Sequence, residues 1–423
     1  MFYLNIAIVC EGFDRSSLLL QPWHRVYEIS KRMAEKKGLS VFVISNKTAD
    51  SREREEIDGI AITRIDRLTL VGIFGKRELA KAVKRNNPDV VVWYGTPLSA
   101  IYLNQLRMIG KPVIWDIDMD IPVLRTLSRL SFRELLHPDH NLFLPQLLTI
   151  LYPKFIMKRI ANSRLISRIV VPSQCLKSSM CKIGVHPSRI RVIPSAIERG
   201  DSDNLGDGEK KLSRSELGFK ESEFIVTYFG SPCTLRGTDI AILSMQKVLA
   251  SKKNVKLMIL SRRKTEAGSA ENSHLRSEED YLRKLVRRKG IESNVRIVTG
   301  ILSKAQLTSY LHISDAIVLP FKIVFSEPPL SVLEAMNLGK VVVTTNLGTL
   351  SEIVGGDRGI LIEPNNAQAL AQAILFLVDH PKRTAQIGKN AQRFVAGLIS
   401  WDQVAVHFEG LLRRTVTNKD DQN

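Results

Sequence analysis

Short β-branched runs separated by helix-length segments recur along the whole chain, and this alternation restricts the fold more than any other feature. NIAIVC, VFVIS, DVVVWYG, PVIWDI, RIVVPS and RVIPS precede residue 196, and FIVTYFG, KLMILS, RIVTG, AIVLPF, VVVTTN and GILIEP follow residue 220. Runs apolar on both faces belong to strands buried on both sides, and the helical intervals between them serve as crossovers. Each set therefore predicts a parallel sheet wrapped by helices. Between the sets the chain turns to SAIERGDSDNLGDGEKK, poor in apolar residues, which reads as a linker. The expected organisation is two doubly wound α/β domains, residues 1–197 and 221–396, joined by a linker over 198–220. A terminal helix over 397–416 and a polar tail over 417–423 follow. A chain of 423 residues is long enough for two separate cores, and two domains imply a cleft.

The net charge of +18 narrows the possible partners to anionic ones. Residues 1–200 hold 31 Lys and Arg against 18 Asp and Glu, and no acid occurs from His140 through Ile197. That stretch reads either as a solvated basic surface or, with NLFLPQLLTILYPKF at its start, as a face for an anionic membrane. The same apolar run is broken by Pro145, Gln146, Pro153 and Lys154, so it falls short of a membrane span of ~20 residues. MFYLNIAIVCEGF reads as a first buried strand rather than a signal peptide. Four scattered cysteines show no zinc spacing and fit a reducing compartment. The expected location is cytoplasmic, with peripheral attachment to the cytoplasmic face of a membrane as the extension of that reading.

In open α/β sheets ligands sit where a strand exits into the next helix. The stretch FSEPPLSVLEAMNLGK follows the strand AIVLPF, and Pro328-Pro329 set a helix start near Leu330. The first-turn amides there, at Leu330 and Ser331 and as far as Val332, carry the positive end of the helix dipole and form an anion site. Glu327 stands at the rim, and Glu334, seven positions on, lies about two turns along on roughly the same side. Carboxylates accept hydrogen bonds from hydroxyls, and a nucleotide diphosphate sugar presents hydroxyls on both sides of its phosphates. Taken alone, Glu327 reads as a dipole-stabilising residue and Glu334 as an ordinary solvated one. Other strand exits point the same way: Gly230 and the Arg236-Gly237 pair after FIVTYFG, Arg262, Arg263 and Lys264 after LMILS, and Gly300 after RIVT, where a missing side chain admits a flat base.

Together these segments resemble the retaining glycosyltransferases of family 4, which have the GT-B fold of two facing Rossmann-like domains. The resemblance runs through residues 224 to about 395, in YFG…RG, RIVTG, LHISDAIVLPF, SEPPLSVLEAMNLGK, VVVTTNLGTLSEIV and GDRGILIEP. It is looser in IAIVCEGF, NPDVVVWYG, IVVPSQCLKSSMCKIGV and RIRVIPSAIE. The terminal WDQVAVHFEGLLRR resembles the helix that returns to the first domain. The resemblance implies a nucleotide diphosphate sugar as donor, a UDP- or GDP-sugar. Glu327 would hold the transferred sugar, Glu334 the ribose, and Arg236, at the family's lysine position, the diphosphate. The family transfers with retention and needs no enzyme nucleophile. Three departures stand out: six residues separate the two acids instead of seven, Ser231 replaces a common basic residue, and the loop EGFDRSSLLLQPWHR lacks paired glycines. Arg262 or Arg263 is expected to supply the diphosphate contact that Ser231 cannot.

Acceptor-side candidates are the strand exits of the first domain: Gly12, Phe13, Gln21, Trp23 and His24, then Tyr94 and Gly95, then Asp116, Asp118 and Asp120. The three Asp residues supply too few ligands for a closed oxygen site, so no metal is expected. A polar or basic role toward the acceptor hydroxyl falls to Asp118 or Asp116. His137, His140 and His312 carry no assigned role. The resulting expectation is a metal-independent retaining glycosyltransferase acting on a lipid-linked or glycan acceptor, without nucleic acid as partner. The rivals are another GT-B activity such as a nucleotide-sugar epimerase, and a non-catalytic basic module that binds nucleic acid or membrane on a degenerate fold.

Overall fold

The computed structural model describes residues 3–15, 17–18, 23–47, 51–66, 78–95, 110–118, 130, 134, 154–197, 212–262, 270–300, 302–324 and 326–420. The first domain is built on β1 (Leu4–Cys10), β2 (Leu39–Asn46), β3 (Arg54–Ile57), β4 (Ile60–Ile65), β5 (Val90–Tyr94), β6 (Val113–Asp116), β7 (Ile166–Val171) and β8 (Ile190–Val192). It also contains helices α1 (Trp23–Ala34), α2 (Glu78–Asn86), α3 (Lys154–Ala161) and α4 (Gln174–Lys182). The strands lie in the order β3-β4-β2-β1-β5-β6-β7-β8, all parallel except the β3–β4 hairpin. That hairpin escaped the sequence reading. Its turn residues Asp58 and Gly59 both have positive φ, as a two-residue type I′ turn requires.

The second domain contains β9 (Phe224–Gly230), a short 3-10 turn (Thr234–Arg236), α5 (Thr238–Ser251), β10 (Val255–Arg262), α6 (Ala270–Arg288), β11 (Val295–Gly300), α7 (Lys304–Ile313) and β12 (Ala316–Leu319). It continues with α8 (Leu330–Asn337), β13 (Val341–Thr345), α9 (Leu350–Val354), β14 (Ile360–Ile362), α10 (Ala367–Asp379) and α11 (Pro381–Ala396). All six strands expected from the sequence are present, in the order β11-β10-β9-β12-β13-β14. The chain winds outward from β9 to β11, then returns to start again at β12 on the other side. Such a reversal leaves a crevice between the two central strands. Here β9 and β12 pair only through Ala316 with Val226 and Ile317 with Thr227, so the ladder ends before either strand does.

The sequence boundaries need two corrections. Leu217 and Phe219, placed in the linker by composition, are buried in the core of the second domain. The core of that domain therefore begins before residue 221, because two apolar anchors outweigh the polar residues around them. The last helix, α12 (Trp401–Asp420), also runs four residues into the expected tail. Residues 198–211, most of the linker, lie outside the described residues.

The two cores meet at sharply defined points. Ala196 packs in the first core and Ile197 in the second, while Leu398 packs against the second core and Ile399 against the first. From there Trp401, Val404, Ala405, Phe408, Leu411 and Leu412 of α12 complete the first core against α1. The Phe408 ring lies 5.9 Å from the guanidinium carbon of Arg25, which is fully buried. Phe408→Ala removes this packing and is expected to cost about 3–5 kcal/mol. Denaturant unfolding followed by a probe in the first domain should show the loss.

Candidate active site

The crevice of the second sheet is closed at its base by two loops that touch. Leu235, in the turn after β9, offers its carbonyl to the amides of Lys322 (3.1 Å) and Ile323 (3.2 Å), in the loop after β12. Gly237 permits this approach: its φ is +78°, and a Cβ there would overlap the Pro320 carbonyl oxygen. The turn is anchored from behind by the buried Glu278 of α6, whose carboxylate accepts from the Thr234 amide at 3.0 Å. Arg236, half-buried, is held beside Tyr228. Burial pushes that phenol up to about 12, against the lowering effect of the Arg236 charge.

Lys322 reaches down into the protein rather than out to solvent. Its ammonium bonds to Glu134 of the first domain (2.9 Å) and to Asp239 in the first turn of α5 (2.7 Å). Burial favours the neutral amine, but the two carboxylates outweigh it and hold Lys322 above its ordinary value. Leu130, Cys233, Leu235 and Ile323 form a small apolar cluster that also spans the two domains.

Glu327 is buried at 1% exposure. Its Oε2 accepts from both the amide (3.1 Å) and the hydroxyl of Thr349, at the start of α9. Gly348 makes room for the carboxylate, since a Cβ at that position would fall on Oε1. Across the cleft, the Glu327 amide donates to the Asp118 carbonyl at 2.6 Å, and the Ser326 hydroxyl donates to Asp118 Oδ2 at 2.5 Å. Helix α8 then begins after Pro329 with no side-chain cap and no acid in its first turn. The amides of Leu330 and Ser331 lack an intrahelical acceptor by position; the Val332 amide is already taken by the Pro329 carbonyl at 3.0 Å. Glu334 lies further along α8, half-buried. Gly230 and Gly300 close their strands with φ of +130° and +128°, and a Cβ on either would meet nothing within 4 Å. The backbone of Arg262 ends β10 opposite Gly300. Its side chain, like Arg263 and Lys264 entirely, lies outside the described residues.

The first-domain candidates divide. Asp118 faces the second domain through Ser326, with Tyr94 beside it. Gly12, with φ of +74°, gives its amide to the Asn46 side chain (2.6 Å) and lies under the ring of Trp23. The Trp23 indole in turn bonds to the Glu11 carbonyl at 2.7 Å. Two assignments are corrected. His24 is buried, bonds to the Leu18 carbonyl at 2.9 Å and packs edge-on against Trp401 at 5.6 Å, so it is a packing residue beneath α12. Asp116 neutralises the buried Arg25 at 3.3 Å, which is itself fixed by Ser195 and Ile193, so its charge serves the interior of the first domain. Gln21, Asp120, His137 and His140 lie outside the described residues. Among the described residues no group of His, Cys, Asp and Glu is arranged to hold a metal ion. The residues missed from sequence are Ser173, Ser326, Thr349, Lys322 and Glu278; all are ordinary polar types whose significance comes from a partner far away in the chain.

Burial pushes the Asp118 carboxyl up to about 6, with the hydrogen bond from Ser326 and the neighbouring Tyr94 hydroxyl opposing it and the Asp116 charge adding to it. An acid whose native value is raised binds its proton longer folded than unfolded, so stability declines as pH rises from about 4 to 6. Asp118→Asn removes that ionisation. The stability of the variant relative to wild type is expected to rise between pH 4 and pH 7, by on the order of 3 kcal/mol, in parallel denaturant titrations.

Comparison with known proteins agrees with this arrangement. The model of the family glycosyl transferases group 1 matches residues 209–394, and that of glycosyltransferase family 4 matches residues 24–200. An uncharacterized glycosyltransferase of Methanocaldococcus jannaschii is 27% identical over 241 residues, 56% of this chain and 57% of that protein. A D-inositol 3-phosphate glycosyltransferase of Rhodococcus erythropolis is 27% identical over 231 residues, 54% of this chain and 48% of that protein. The chain thus spans about half the length of the curated relatives it matches. Sucrose-phosphate synthase from Thermosynechococcus elongatus superposes with a TM-score of 0.74 at 17% identity, covering 98% of this chain and 100% of that one. Anabaena HepE in complex with UDP and glucose superposes at 0.70 and 16%, covering 97% and 100%. With both halves matched by the family models and the two facing parallel-sheet domains in place, the chain belongs to the family 4 glycosyltransferases and has the GT-B fold.

Proposed function

We propose that this protein is a retaining glycosyltransferase that moves a sugar from a nucleotide diphosphate donor to a hydroxyl of a lipid-linked or glycan acceptor. The observation that carries the reading is the switch-point crevice, where Glu327, the uncapped start of α8 and Arg236 converge on strand-exit loops that are stitched together. In this reading the diphosphate rests on the Leu330 and Ser331 amides and Arg236, Glu334 accepts from the ribose, Glu327 accepts from hydroxyls of the sugar, and the base lies over Gly300. HepE, a neighbour in fold, has been captured with UDP-glucose, which supports a UDP-sugar among the possible donors.

The chemistry requires the bond from the anomeric carbon to the leaving phosphate oxygen to break, its electron pair going to the diphosphate. Arg236 and the dipole of α8 would stabilise that developing charge without a bound metal. The acceptor oxygen bonds to the anomeric carbon from the same face, and its proton passes to the departing phosphate. Asp118, on the opposing domain, would orient the acceptor hydroxyl. The acceptor face is read from α3, where Phe155 is 72% exposed and flanked by exposed Lys154, Lys158 and Arg159, a pattern suited to an anionic bilayer and a lipid-linked substrate. On that reading the enzyme works in the cytoplasm, attached peripherally to the membrane.

The test is a thermal-shift and mass-spectrometric screen of UDP-, GDP- and ADP-sugars. One donor at about a hundredfold its Kd is expected to stabilise the wild type by about 2.7 kcal/mol, and Glu334→Ala should lose most of that stabilisation. Interconversion of the donor without acceptor would identify an epimerase instead, and no stabilisation by any donor would point to a non-catalytic module. Sedimentation with phosphatidylglycerol vesicles is expected to weaken with added salt, and roughly tenfold in Phe155→Ser, because the exposed ring then loses its burial in lipid.

A further inference from the structure

The carboxylate of Glu327 is tied to the opposite domain through two hydroxyls. Thr349 Oγ1 lies within hydrogen-bond range of both Glu327 Oε2 and Ser173 Oγ, the latter at 2.8 Å. A threonine hydroxyl has one proton, and the carboxylate is the stronger acceptor, so Thr349 donates to Glu327. Its contact with Ser173 Oγ, in which Thr349 is again the donor, shares that same proton. Ser173 is also the N-cap of α4, where its oxygen accepts from the Leu176 amide at 3.0 Å. Ser173 of the first domain and Glu327 of the second are thus joined through the one Thr349 hydroxyl, and all three side chains are buried.

The same end of α4 is engaged a second time. Glu352 of α9 accepts from the Gln174 amide at 3.3 Å and from the Cys175 amide. Two adjacent points of the second domain therefore dock on one helix start of the first, and both depend on the domains being closed. On the other side of Glu327, its amide and the Ser326 hydroxyl are held by Asp118, again from the first domain. The second domain supplies Thr349 and Gly348, and the first supplies Ser173 and Asp118.

We propose that Ser173 and Thr349 form an interdomain relay that positions Glu327, so that the acid is set for the sugar only when the two domains have closed. The inference rests on the reading of Glu327 as the acid that holds the transferred sugar. Ser173 and Thr349 are positioning residues: they act through Glu327 and need no contact with substrate.

The experiment is a double-mutant cycle on donor turnover by the full chain, with UDP and GDP binding measured separately. Thr349 makes no side-chain cap to α9, so Thr349→Val removes the hydroxyl without uncapping a helix. Thr349→Val is expected to lower kcat roughly tenfold while the Kd of the bare nucleotide stays within twofold. Thr349→Ser should retain most of the wild-type kcat. Ser173→Ala is expected to lower kcat comparably, and to add little further loss in the Thr349→Val background. Should the valine variant fail to fold, Ser173→Ala in the wild-type and Thr349→Ser backgrounds reads the same loss. Losses that multiply, an unchanged kcat, or an equal loss of nucleotide binding would overturn the relay. A wild type that turns over no nucleotide sugar would remove the reading of the site and the relay with it; normal turnover with multiplying losses removes the relay alone.

Discussion

The close approach of two loops across the gap between β9 and β12 is the constraint on which the cleft depends. A parallel sheet that reverses its winding must leave its two central strand ends unpaired, and their backbone groups need other partners. Here the Leu235 carbonyl satisfies two amides of the opposite loop, which is possible only because Gly237 brings no side chain against Pro320. That contact sets where Arg236 emerges and where the segment leading to Glu327 begins. The start of α8 follows from it, because the Pro328-Pro329 pair ends the loop and opens the helix.

Two sets of compensated buried charges mark the seams of the fold. Arg25 with Asp116 ties α1 to the end of β6 beneath the terminal helix, while Lys322 with Asp239 and Glu134 ties the second domain to the first. Desolvation makes each of these ions costly alone, so each set holds its geometry as a unit, and removing one member strands the others. Asp118 differs. It is buried against the Ser326 hydroxyl rather than paired with a cation of its own, which leaves its carboxyl near 6 and makes it responsive to pH close to neutrality.

The strand pattern made the fold legible, since strands buried on both faces cannot hide in a sequence. The edge hairpin β3–β4 escaped because REEI is mostly exposed and carries no apolar run. The loops that carry Glu327 and Arg236 were legible as strand exits, and the helix that carries Glu334 as the one that follows. His24 and Asp116 were misjudged for one physical reason: adjacent residues of a helix start or strand point in different directions, and only packing decides which faces the cleft. Lys322 and Ser173 could not be found at all, because a lysine after a strand and a serine before a helix read as a solvated charge and a cap. Their distant partners Glu134 and Thr349 lie in the other domain.

The chain passes from the first core to the second between Ala196 and Ile197, and returns between Leu398 and Ile399. The second domain is thus spliced into the first at two places, each a handover between neighbouring residues. A body fastened at one point can swivel in any direction, whereas one fastened at two can turn only about the line that joins them. Two crossings therefore restrain the relative rotation of the domains more than a single one would. That restraint favours register at contacts as directional as those of Ser173 with Thr349 and of Asp118 with Ser326.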